Sequence, residues 1–154
     1  RDLVRSRGLG DVYKRQILMI AVAAVMVPAD AYAKKVKKNL YLFGCSASFT
    51  DSIIYITDVQ VIENANYDTR SKMLVNREMY SSQLKEYLAE KMGQPHRTCF
   101  VMFSDKAKKI TKKLGKVRAL YTTKSPGKFD VKYLKLDDFR FTIIKDEEES
   151  ATEE

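Results

Sequence analysis

Apolar and polar residues alternate along this chain with two periods, and the changes between them mark its elements. Residues 40–49 are apolar with small residues interspersed. Residues 53–62 (IIYITDVQVI) are rich in β-branched side chains, with Tyr55, Thr57, Val59 and Val61 on one face and Ile54, Ile56, Asp58 and Gln60 on the other. Both stretches read as strands, and the short turn-prone link Thr50-Asp51-Ser52 makes a hairpin their simplest connection. Residues 63–72 (ENANYDTRSK) are polar without a period and are expected to form a surface loop.

Helical spacing takes over at Tyr80, Leu84, Tyr87, Leu88 and Met92, with Asn76 as the expected cap, Glu78 in the first turn and Gly93 as the stop. The run Cys99-Phe100-Val101-Met102-Phe103 is apolar on both faces, the pattern of a central or heavily buried strand. Ser104 or Asp105 then caps a second helix. Its apolar stripe is Ala107, Ile110, Leu114, Val117 and Tyr121, and lysines cover the rest of its surface. Ser125-Pro126-Gly127 breaks the chain, and residues 131–136 followed by 139–144 read as a final strand, kinked or divided at Asp137-Asp138. The expectation is one α/β domain. It contains a mixed sheet of about four strands, in chain order β-β-α-β-α-β, with two amphipathic helices packed on it.

Upstream, residues 17–27 (ILMIAVAAVMV) form an uncharged apolar run followed by the small-x-small triplet Ala31-Tyr32-Ala33. The run is too short to span ~30 Å of hydrocarbon as a helix but matches a secretory h-region with its cleavage site. Residues 17–33 are thus expected to be a signal peptide cut after Ala33, giving an exported protein of the periplasm or cell surface with no transmembrane segment after cleavage. Cys45 is no lipidation site on this pattern, because only a handful of apolar residues separate it from the basic run at 34–38.

The net charge of +8 conceals two regions of opposite sign. Residues 34–145 carry 23 Lys and Arg against 11 Asp and Glu, whereas the last nine residues, DEEESATEE, hold six acids and no base. That composition cannot offset its ordering entropy by burial, so residues 146–154 are expected to be a disordered acidic tail.

Few residues offer chemistry. Cys45 and Cys99 lie in apolar runs, where cysteine packs as a small hydrophobe, although an oxidising compartment permits a disulfide if their strands are neighbours. A thiol- or hydroxyl-dependent hydrolase would have to use Cys45, Cys99, Ser46 or Ser48 with His96 as base. His96 and Cys99 diverge if the chain between them is extended, and Gly44-Cys45-Ser46-Ala47-Ser48 lacks the second glycine of a nucleophile elbow. The carboxylate pairs Asp51/Asp58 and Asp137/Asp138 come without a histidine. With one histidine in the chain, neither a metal site nor a cofactor is implied.

Lys106, Lys109, Lys112, Lys113 and Lys116 form the strongest surface feature, a cationic face suited to weak attraction by anionic surfaces. Sequence-specific nucleic-acid binding is not expected of a lysine face lacking interleaved aromatic platforms. The leading expectation is a non-enzymatic binding or interaction protein, with the hydrolase as the alternative.

Two resemblances add to this. The segment RDLVRSRGLGDVYKRQ (residues 1–16) resembles a translated sequencing adapter and is set apart as a non-native leader. The pieces Gly44-Cys45-Ser46, Ser48-Phe49, Asp51-Ser52, Tyr55, Thr57-Asp58-Val59-Gln60, Tyr80, Gln83-Leu84, Tyr87-Leu88 and Pro95-His96-Arg97-Thr98-Cys99 are similar to a group of short exported proteins from gut-associated Gram-negative anaerobes. That resemblance implies an exported stand-alone domain and assigns no activity.

Overall fold

The computed structural model describes residues 34–145; residues 1–16, 17–33 and 146–154, expected to be a non-native leader, a signal peptide and a disordered acidic tail, lie outside the described residues. Strands β1 (Lys35–Ala47), β2 (Ile53–Thr57), β3 (Gln60–Asp68) and β4 (Met73–Leu74) come first, followed by helix α1 (Arg77–Lys91) and strand β5 (Thr98–Ser104). Helix α2 (Ala107–Tyr121) and strand β6 (Asp130–Leu134) complete the series. Among the described residues the architecture is a mixed α/β sheet with two helices, but the sheet has six strands rather than about four.

The difference has one local cause. The β-branched run that reads as a single strand breaks at Asp58-Val59 into β2 and β3, both antiparallel to the same edge of β1. The break also reverses the alternation of faces: Tyr55 joins one core, while Val59 packs against the other. Beyond it, β3 continues through the polar residues 63–68, so most of the expected loop is paired strand, with β4 added at its far edge. Pairing with β1 overrides the polar composition of that stretch.

Strand order is β4-β3-β1-β2-β6, and β5 pairs with the opposite edge of β1. The mixed character comes from β6, which runs parallel to β2 while the remaining pairs are antiparallel. β5 is therefore an edge strand and not a central one. Its two apolar faces have another cause, since Cys99 and Phe103 pack into the α1 core and Phe100 and Met102 into the α2 core.

Each face of the sheet has its own core. On one, Leu40, Leu42, Tyr55, Ile62 and Val101 meet Tyr80, Leu84 and Leu88 of α1 together with Phe139 and Phe141. On the other, Phe43, Cys45, Ile54 and Ile56 meet Ile110, Leu114 and Val117 of α2. Asn76 has a left-handed backbone (φ 56) and makes no capping hydrogen bond with its side chain, contrary to expectation. The cap of α2, expected at Ser104 or Asp105, falls instead at Lys106, which makes no side-chain capping bond, and Ser104 Oγ accepts from the backbone N–H of Lys106 rather than from the first turn.

The segment 139–144, expected to continue the last strand, is irregular. Two glutamine amides hold it instead. Gln60 donates to Phe139 O (2.9 Å) and accepts from Phe141 N (2.8 Å), and Gln83 donates to Thr142 O and accepts from Thr142 N, each at 2.9 Å. A primary amide offers a donor and an acceptor side by side, so each glutamine replaces a strand partner.

Candidate functional site

The structure divides the residues expected to carry chemistry. Cys45 is fully buried and faces α2. Cys99 is half-buried on the α1 side, where its register partner is Ser46. Successive residues on a strand point to opposite faces, so the two thiols have the sheet between them and both are free. Burial pushes the Cys45 thiol up to about 12. It raises Cys99 as well, against the opposing pull of Ser46 and the Arg97 charge. A nucleophilic cysteine needs the reverse shift.

Ser48 lies at the start of the β1–β2 link, bonded to Thr50 through its hydroxyl. His96 sits exposed on the turn before β5 with φ 63. Of the hydrolase candidates, the fold brings only Ser46 and Cys99 side by side, and the group at their centre is a cation that sequence reasoning passed over.

Arg97, whose side chain is 1% exposed, donates from Nε to Ser46 Oγ at 3.0 Å and from Nη1 to both Asp51 carboxylate oxygens at 3.1 and 2.9 Å. It also donates to the backbone carbonyl of Ile53, and its guanidinium stacks over Tyr55 at 4.9 Å. One side chain thus joins β1, the β1–β2 link, β2 and the start of β5. The Ser46 hydroxyl accepts from a guanidinium, which does not draw off a proton as a general base would. This is the arrangement of an internal tie. The sequence signal was present in a lone arginine beside an apolar strand, Arg97-Thr98-Cys99, since a cation there is buried only when paired.

Gly44 has a structural role too. A Cβ there would lie 2.6 Å from Leu84 Cδ2 and 3.0 Å from Phe141 Cζ, so the missing side chain lets α1 and the C-terminal segment close onto the sheet.

The lysines stay on the surface. Lys106, Lys109, Lys112, Lys113 and Lys116 are all exposed. The neighbouring acid, Asp105, is engaged by Lys38 at 3.1 Å, and that bond holds its carboxyl below the usual range. Two contacts orient α2 on the sheet. Arg118 stacks over Tyr133 of β6 at 4.9 Å, and Lys113 Nζ donates to Phe103 O of β5 at 2.9 Å. Helical spacing then puts Lys109 and Lys116 on the same flank as Lys113, whose ammonium reaches the Phe103 carbonyl of β5.

Among the described residues no cluster of His, Cys, Asp and Glu that could hold a metal is found, and no helix is long and apolar enough to cross a membrane. The chain matches no protein-family model, and no curated protein or solved structure is significantly similar to it.

Proposed function

We propose that this is an exported, non-enzymatic binding protein of the periplasm or cell surface that engages an anionic partner through the lysine face of α2. The observation carrying the reading is that Lys109, Lys112, Lys113 and Lys116 are exposed on this helix and Lys106 just before it, while the nearest acid is already paired with Lys38. Binding is supported over thiol chemistry by the burial that raises both thiols and by the exposure of His96 away from the fully buried Cys45, because a nucleophilic cysteine needs a lowered pKa. Export rests on the apolar run and small-x-small triplet at 17–33.

Retention on heparin and sedimentation with phosphatidylserine-containing vesicles test the reading. Both are expected at low ionic strength and lost at high salt, where the Debye length falls to ~3 Å at 1 M. Reversing Lys109, Lys112 and Lys116 to glutamate should abolish both, and deleting residues 146–154 should strengthen both by removing competing acids. Failure of the unaltered protein to bind either probe at low salt would sink the proposal.

A further inference from the structure

Among the described residues the outer edge of β5 has no strand partner, and the direction of its backbone groups can be assigned. Gly44 N–H bonds to Thr57 Oγ1 on the β2 side of β1. Backbone groups alternate between the two edges of a strand, so Phe43 and Cys45 turn theirs toward β5, opposite Met102 and Phe100. Phe100 and Met102 are therefore engaged by β1, while Cys99, Val101 and Phe103 direct their N–H and C=O groups outward. The Lys113 ammonium on Phe103 O fits this assignment independently.

Sheet edges are ordinarily blunted by charges, proline or bulges. β5 (TCFVMFS) contains no charge and no proline, and its seven pairs with β1 run without a register shift. On the other side of the sheet the edges are the two-residue β4 and the charged β6 (DVKYL). What β5 has beside it is α2, whose Lys113 reaches the Phe103 carbonyl and whose Lys109 and Lys116 share that flank by helical spacing.

We propose that the outer edge of β5 and this lysine flank together form a strand-addition site for an extended acidic segment of a partner protein. The proposal rests on the anionic-partner reading and names the partner class. An added strand satisfies the outward groups of Cys99, Val101 and Phe103, and its side chains alternate between the two faces of the sheet. Acidic residues at every second position meet the lysines of α2, while the intervening apolar residues continue the row of Cys99, Val101 and Phe103 on the α1 side. Lys113 exchanges the Phe103 carbonyl for a carboxylate as the strand docks. A second copy of this chain fits the edge poorly, because antiparallel β5–β5 pairing keeps each face continuous and would bring two lysine flanks together.

The experiment measures fluorescence anisotropy of a labelled acetyl-(Val-Glu)4-amide titrated with the purified protein. Three comparison probes are the same peptide with alternate backbone amides N-methylated, (Val-Lys)4-amide and an oligo-glutamate of equal charge. The alternating acidic peptide is expected to bind, the N-methylated form about tenfold more weakly, a difference of ~1.4 kcal/mol, and the lysine peptide not at all. Lys109→Glu with Lys116→Glu, both exposed, should weaken the acidic peptide without altering the thermal melt. Equal binding of the methylated and unmethylated peptides would overturn strand addition and leave plain charge attraction. Failure of oligo-glutamate as well as the alternating peptide at low salt would overturn both proposals. A protein that is already a β5-paired dimer by sedimentation at low salt would overturn the choice of occupant.

Discussion

Arg97 Nη1 touches both carboxylate oxygens of Asp51, yet the two partners differ sharply in exposure, 1% for the arginine side chain and 31% for the aspartate. The asymmetry predicts unequal mutants. Arg97→Ala leaves Ser46 Oγ and the Ile53 carbonyl without their donor, at about 1–3 kcal/mol for each acceptor left unsatisfied, and opens a void besides. Asp51→Ala leaves a cation that water can reach from the carboxylate side, so its loss should be smaller. Urea midpoints of the two variants check the order, and an Arg97→Ala protein as stable as the parent would refute the tie.

Acid should destabilise the fold in a defined window. Asp51 is held below the usual carboxylate range by the Ile53 N–H and by Arg97, Asp68 by the Ser71 hydroxyl and the Arg70 N–H, and Asp105 by Lys38. A carboxylate with a depressed folded pKa contributes stability that is complete above its unfolded pKa of ~3.9 and is lost as pH falls through the folded value. The melting temperature is therefore expected to hold from neutrality to about pH 5 and to decline below pH ~4. Asn substitution at all three positions should lower the plateau and flatten the decline, whereas a triple variant with the parent's acid profile would contradict the assignment.

The thiols should be distinguishable by alkylation. Cys45, buried and held at about 12, is expected to resist iodoacetamide at neutral pH until the protein is denatured, and Cys99 to react slowly from its half-buried position. Peptide mapping after a timed reaction gives the result. Rapid labelling of native Cys45 would mean that the α2 face opens readily.

Gly44→Ala forces a methyl group into Leu84 and Phe141. Overpacking of this kind costs about 1–3 kcal/mol. Adding Leu84→Ala should restore part of that loss, and thermal melts of the two single variants and the double variant read the coupling.

Lys113→Ala removes the side chain that covers Phe103 O on the open strand edge. Because an uncharged apolar edge is a template for pairing, the variant should aggregate sooner than the parent on incubation at high concentration, with little change in its melt. Light scattering reads the difference, and identical traces would show that Lys113 does not guard the edge.

The sequence made both helices and the location of β1, β2 and β5 legible, because their apolar positions keep a clear period and bury against one another. It misled where a partner outweighs local composition. Residues 63–68 look like a loop and pair with β1, and 139–144 look like a strand but are held by amides from Gln60 and Gln83. β5 reads as central because two helices cover it, and periodicity reports coverage of the faces but says nothing of the edges. At the candidate site, the sequence offered Cys45, Ser46, His96 and Cys99 as reactive groups but could not show the Arg97 tie, which depends on Ser46 and Asp51 arriving from elsewhere in the chain.

The glutamine clips also tie closure of the core to the end of translation. Phe139 and Phe141 complete the core over α1, and they are secured by Gln60, about eighty positions earlier in the chain, and by Gln83 acting on Thr142. A nascent chain stopped before Phe139 has β1 to β6 and both described helices but an open trough over Tyr80, Leu84 and Leu88, so this face of the domain can close only once residues 139–144 have been translated. Because both clips are neutral amides, neither pH nor salt loosens them.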